Sequence, residues 1–245
     1  MQVGAFVVML GLLVVAGNAG TATPMATNCA YDLPAYTAVQ LHGAGSVRIV
    51  QDDRHHAQVQ VQDCAGAVEL EVVDRVLYVY SADSLVDLTI GVVDLRELYT
   101  DGGWRVVAQR LASEYLSLES HRTTRMILTA LDATELLITA TGESAIEVSG
   151  RVERQVVALS DAGVYRASAL SSSTGHLAVR GHASVELWVD ELLDVQMDGD
   201  AQVRYKGSPY LHQELRGRGS VARFEDVQSA VFPVGSQPIE KQIKI

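Results

Sequence analysis

The sequence predicts an all-β chain and, within that class, a single-stranded parallel β-solenoid with roughly 18–21 residues per coil. Three observations carry this reading. A small or glycine-rich corner recurs: Gly142 in "TGESAIEV", Asp161 in "SDAGVYRA", Gly181 in "RGHASVEL", Gly199 in "DGDAQVRY" and Gly217 in "RGRGSVAR" follow one another at 19, 20, 18 and 18 residues. The residues flanking each corner alternate apolar and polar, so their period is two and they are strands rather than helices. The alternation also stays in phase between copies. Ile138, Val157, Leu177 and Val195 align before the corner, and Ile146, Tyr165, Val185, Val203 and Val221 align after it. Such units bury their apolar rows only by stacking on one another, about 4.8 Å apart.

Taken in order, the chain opens with an uncharged run from Val3 to Val15, followed by the small residues Ala16, Gly17, Ala19 and Ala22. Residues 1–26 are read as a secretory signal, because the run is shorter than the ~20 residues that span a bilayer. No Lys or Arg precedes the run, and Cys29 lacks the flanking residues of a lipoprotein site. Export places the chain in the periplasm, at the cell surface or in the medium, with no transmembrane anchor in the mature protein. Cys29 and Cys64 are its two cysteines, and in an oxidising compartment they are predicted to form one disulfide. Two thiols without histidines at ligand spacing do not make a zinc site. His55 and His56 are adjacent and so fall on opposite faces of a strand.

A solenoid domain is expected over residues 28–226. Its first corner is "HGAGSVRI", with Gly43 and Gly45, and the next is Gly102 in "TDGGWRVV". These corners lie 59 residues apart, room for about three periods. The intervening "AQVQVQDCAGAVELEVVDRVLYVYS" is read as two strand pairs building N-terminal coils with less regular turns. In "SHRTTRMI" the corner role is assigned to His121, and "VVAQRLASEYLSLE" is read as loop plus strand. A coil must turn sharply at each corner, and glycine reaches backbone angles closed to other residues. Gly43, Gly45, Gly102, Gly142, Gly181, Gly199 and Gly217 are therefore structural corners rather than a dinucleotide loop, which would need a third glycine and a following helix. Residues 227–245, with two prolines, are read as a loosely held tail or a cap over the last coil.

Outward positions test the register. Glu147, Arg166, Glu186 and Arg204 form one column, and Arg180, Asp198 and Arg216 another, with charge alternating from coil to coil. A third column holds Trp188, Lys206 and Phe224, where an ammonium can sit between aromatic faces. These ladders specify the fold first, and a ligand surface is their second reading.

With corners, strands and leader together, the chain resembles the head GIN family of auto-transporter adhesin domains. The stretches that carry the resemblance are "LHGAGSVRIVQ", "LVDLTIGVVDLRELYTDGGWRV" and "LDVQMDGDAQVRYKGSPYLHQELRGRGSVARF", spanning Tyr36 to Phe224. Family corners usually read Ser-Gly-Ser-Gly-Asp; here "ESHRTTR" and "LSDAGVY" depart from that pattern. The resemblance implies a right-handed parallel β-helix in an exported protein and supplies no catalytic residues.

The formal net charge of -11 repels nucleic acid and anionic lipid. No cofactor motif occurs. The function read from the sequence is therefore a noncatalytic exported binding or structural protein, an adhesin or a module contacting polysaccharide or another envelope component. The rival is a polysaccharide lyase or glycosidase. Its carboxylates would be Asp198 and Asp200, though the first belongs to a charge ladder and the second to a turn. His176, His182 and Ser184 near Asp161 lack the nucleophile elbow of a hydrolase triad.

Overall fold

The computed structural model describes residues 6–7, 27–61, 68–81 and 86–224. The predicted leader, apart from Phe6–Val7, and the tail at 227–245 lie outside the described residues, as does Cys64. Among the described residues all regular elements are strands: β1 (Phe6–Val7), β2 (Thr27–Asp32), β3 (Ala38–Gln51), β4 (His56–Val61), β5 (Val68–Val73), β6 (Val76–Ser81), β7 (Asp87–Val92) and β8 (Glu97–Gln109), then β9 (Ala112–His121), β10 (Arg125–Ala140), β11 (Ala145–Leu159), β12 (Val164–Gly181), β13 (Ser184–Gly199), β14 (Gln202–Lys206), β15 (Tyr210–Arg216) and β16 (Ser220–Arg223). Among the described residues no helix is long and apolar enough to cross a membrane.

From β8 onward each strand pairs in parallel with the one a coil later, as the period requires. Arg125 lies beside Arg105 and Ala145 beside Arg125, steps of 20 residues; Val164 lies beside Ala145, a step of 19; and Gln202 lies beside Ser184, a step of 18. The chain is a β-solenoid. Its interior is filled by files of stacked side chains. One runs Val47, Val106, Met126, Ile146, Tyr165, Val185, Val203, each partner to the next across the sheet and each buried, and ends on the partly buried Val221. Within β11 the alternation is strict through Val148 and from Gln155, and it breaks between them, where the strand bends around the core. "VVAQRLASEYLSLE" is β8, a bend at Arg110, and β9.

The N-terminal end departs from the count of periods. Gly43 does not lie three coils from Gly102: the two are direct partners in the β3–β8 ladder, which runs from Ala38–Glu97 to Val50–Gln109. The chain between β3 and β8 leaves this ladder and returns on the other side of β3. There β6 pairs in parallel with the first half of β3, and β7 with the second. Antiparallel strands close this end, β5 on β6 and β4 on β7, with β2 on β4 and β1 on β5. The β5–β6 hairpin turns through Asp74 and Arg75, both with positive φ, the two-residue geometry that fits strand twist. The sequence hides this closure because the antiparallel cap keeps the same two-residue alternation as the parallel coils. Tyr36 locks it. Fully buried, it donates from its hydroxyl to the Gly91 carbonyl at 2.6 Å, and burial raises its phenol pKa.

At the main corner Gly43, Gly102, Gly142, Gly181, Gly199 and Gly217 all have positive φ, as does Asp161 at 67°. In "SHRTTRMI" the left-handed position is Arg122, φ 70°, one residue beyond the assigned His121. The register Asp101–His121 leaves Gly102 opposite Arg122. Gly45 lies under the buried Trp104, whose ring would meet an added Cβ at 2.8 Å.

A second corner follows Arg110, Ala130 and Gly150, all at positive φ. Ala130 is exposed at φ 56°, a conformation that penalises a Cβ. Ala130→Gly is expected to stabilise the protein by about 0.5–1 kcal/mol, the removed strain exceeding the added unfolded-state entropy. Equilibrium denaturation checks this; a loss of stability would show that the Ala130 backbone is unstrained.

Candidate binding surface

Each coil repeats its outward positions at one strand spacing, so the surface consists of columns. Glu147, Arg166, Glu186 and Arg204 occupy successive rungs of one, and Arg204 pairs with Glu186 at 3.0 Å. Arg180, Asp198 and Arg216 are likewise neighbours. Trp188 and Lys206 are partners across β13 and β14, with the ammonium 4.7 Å from the indole ring. The Phe224 ring receives the Arg204 guanidinium, 4.4 Å from its centroid. The aromatic column thus makes two cation–π contacts with two different cations.

The rival's carboxylates have other work. The Arg218 guanidinium bonds Asp200 at 2.6 Å and holds its carboxyl below the usual range, whereas a glycosidase acid must keep its proton. His182 approaches Asp200 at 4.0 Å, while His176 and His212 approach Asp194 at 3.7 and 2.9 Å. The hydrogen bond that its Nδ1 donates to the Asp194 carboxylate raises the His212 pKa. Ser184 uses its backbone amide to bond the Gly163 carbonyl and sits on the rung after Val164. A shallow groove of about 720 Å³ crosses the strands elsewhere, lined by Glu114, Asp132, Arg151, Glu153, Ser171 and Asp190. Arg151 reaches Asp132 there at 3.4 Å. Cys29 lies partly buried on β2.

A further outward cluster, one of rings in contact, is not legible in the corner spacing. On the face before the main corner, two adjacent columns run across β6, β3, β8 and β9. One is Tyr78, Gln40, Tyr99, Glu119; the other is Tyr80, His42, Asp101, His121. Their rings form a continuous strip. The Tyr80–His42 centroids are 5.1 Å apart and the planes 14° from parallel; His42–Tyr99 and Tyr99–His121 follow at 5.6 and 5.3 Å, tilted. Tyr78 lies within 6° of parallel to Tyr80. Polar partners fix the strip. His121 bonds Glu119 at 2.8 Å through Nε2 and Thr141 at 2.9 Å through Nδ1, and Arg122 pairs with Asp101 at 2.8 Å. Partial burial, with Asp101 and Glu119 nearby, raises the Tyr99 phenol pKa. The signal lay in the tyrosines two apart in "LYVYS", but only the 59-residue jump brings them beside His42 and Tyr99.

The chain resembles the crystal structure of a putative adhesin from Bacteroides fragilis, with a TM-score of 0.77 and 17% identity over 82% of this chain and 98% of that one. A putative adhesin from Parabacteroides merdae gives 0.65 and 16%, covering 82% and 96%. A protein from Parabacteroides distasonis, described as a putative lipid binding protein, gives 0.66 and 16%, covering 82% and 97%. No curated protein sequence matches the chain. At these identities the likeness establishes the fold. The family model described as "putative auto-transporter adhesin, head GIN domain" matches residues 35–209, from just before the buried Tyr36 to the turn between β14 and β15, and the chain belongs to that family.

Proposed function

We propose that this protein is an exported, noncatalytic binding module whose solenoid surface holds a component of the cell envelope, polysaccharide foremost. The observation that carries the reading is the in-register stacking itself. It repeats outward groups at one strand spacing, and a repeated surface suits a repeated ligand. The family's adhesin description points the same way. The ladders of Trp188, Lys206 and Phe224 are candidate parts of that surface. In the same reading residues 1–26 are removed on export, residues 28–226 form the mature solenoid, residues 227–245 cover its last coil, and Cys29 is bridged to Cys64. The structural corners marked by the glycine spacing set the coil geometry and take no part in binding.

The test is retention of the purified protein on isolated envelope and on insoluble polysaccharide, with product release from the same glycans monitored. Retention without turnover is expected. Absence of retention on every fraction would overturn the binding reading, and turnover would replace it with the lyase or glycosidase. Mass and N-terminal sequence of the exported protein, with and without reductant, check the leader and the bridge.

A further inference from the structure

We propose that the aromatic strip of Tyr78, Tyr80, His42, Tyr99 and His121 is a glycan-binding platform, and that its ligand is an extended, uncharged polysaccharide lying along the solenoid axis. This rests on the binding reading above and assigns it a place and a ligand class.

The fold does not require rings at these positions. The column through Tyr78 and Tyr99 continues in register to Thr139, Ala158 and Ala178, so later coils stack equally well with small residues. Aromatic pairs across strands add stability, yet the same column in the C-terminal coils does without them. Five rings in mutual contact on one face, where the outward Trp188, Tyr210 and Phe224 belong to no such run, mark a contact surface.

The geometry selects the ligand. Successive centroids from Tyr80 to His121 advance by 5.1, 5.6 and 5.3 Å, close to the ~4.8 Å strand spacing and to the advance of one hexose unit in an extended glycan. Between the rings stand Gln40, Asp101 and Glu119, acceptors for sugar hydroxyls, with phenol hydroxyls as donors. Pyranose rings present apolar C–H faces and polar rims, the same alternation. Because His121 and Asp101 are already pinned by Glu119, Thr141 and Arg122, little side-chain ordering remains for binding.

Charge narrows the class. Glu69 and Glu71 are the cross-strand partners of Tyr80 and Tyr78, so the strip is bordered by carboxylates on a protein of net charge -11. Uronic-acid polymers and anionic lipid headgroups are repelled there; a neutral chain is not. The concavity beside the strip, about 470 Å³ and lined by His42, Asp101 and Arg122, is open and edged by polar side chains, unlike the deep apolar anchor site on which protein interfaces concentrate their affinity.

Affinity electrophoresis of the full chain through gels holding glucan, mannan, xyloglucan or polygalacturonate tests this. Retardation is expected by at least one neutral polymer and not by polygalacturonate. The double variant Tyr80→Ser/Tyr99→Thr, which borrows residue types found in later coils, is expected to weaken retardation at least tenfold while remaining folded by circular dichroism. Tyr210→Ser, which removes an exposed tyrosine from the last coil, should leave it unchanged. Full retardation of the folded double variant, retardation by polygalacturonate alone, or none by any neutral polymer would overturn the platform. If envelope retention persists in those cases, binding survives at another place; if it is also lost, both readings fall. A second measurement needs no variant. Bound neutral glycan should protect Tyr80 from nitration by tetranitromethane, and equal nitration with and without a retarding polymer would overturn the proposal.

Discussion

Gly102→Ala is expected to be among the most damaging single-methyl changes in the protein, costing at least ~3 kcal/mol and preventing accumulation of folded protein under ordinary expression. Gly102 sits at φ 132°, a region essentially closed to residues with a Cβ, and the added carbon would fall within the carbonyl group of Gly43 on the neighbouring rung. Neither backbone can yield alone. The two glycines are partners in a ladder that continues for several residues on both sides, and Gly43 is itself packed on the Ser81 carbonyl. Asp161, by contrast, occupies the corner at φ 67°, in the ordinary left-handed well that aspartate tolerates. Asp161→Gly should therefore cost no more than the exposed hydrogen bond its carboxylate accepts from the Gly142 amide, about 1 kcal/mol, and urea denaturation of the two variants side by side separates corner strain from a general sensitivity of the loop. A Gly102→Ala protein as stable as the parent would mean that the β3 and β8 corners are not stacked.

The second large effect is expected at Gln155, which is fully buried. β12 carries extra residues opposite β13 near Ala167–Ser171, and the shifted ladder leaves the Trp188 carbonyl facing inward. Ser172 donates to that carbonyl at 2.8 Å, the Gln155 amide donates to Ser172 at 2.7 Å and to the carbonyl at 3.2 Å, and Tyr165 donates to the Gln155 oxygen at 3.0 Å. Burial raises the Tyr165 phenol pKa, so the hydroxyl remains a donor. Gln155→Ala opens a cavity and strands this hydroxyl in the core, and is expected to cost about 3 kcal/mol. Gln155→Leu alone should still cost 1–2 kcal/mol or so from the unpaired phenol, whereas Gln155→Leu with Tyr165→Phe removes both partners and should recover much of the loss, to within about 1 kcal/mol. Additive losses in that double-mutant cycle would show that the two side chains are not coupled.

Why the C-terminal coils were legible and the N-terminal end was not follows from the same two residues that define the corner. Between Gly142 and Gly217 every neighbour in space is one period away in sequence, so spacing alone recovers the register of Val185, Val203 and Val221. Between Gly43 and Gly102 the spacing is a near multiple of the period, but the intervening residues fold into hairpins and return on the far side of β3. Alternation cannot distinguish those cases, since parallel and antiparallel strands share it. The same miscount hid the aromatic strip, because Tyr80, His42 and Tyr99 come together only if β6, β3 and β8 are adjacent. His121 was placed one residue early at its corner for a simpler reason: without a glycine, only the Asp101–His121 register identifies Arg122. The Gln155 network was invisible because its cause is a bulge, and the spacing of corners averages over bulges.

The placement of β3 between strands that follow it also governs the order of assembly. From β10 to β13 each rung needs only a closure of about 20 residues, so these coils can zip one upon the next. The β3–β8 ladder must first close 59 residues, about 1 kcal/mol more in chain entropy, and until β6 and β7 arrive β3 keeps a bare edge. Vectorial emergence from the amino end therefore delivers first the segment that can be completed last, and refolding kinetics should be set by this late insertion while the carboxyl-terminal coils form early.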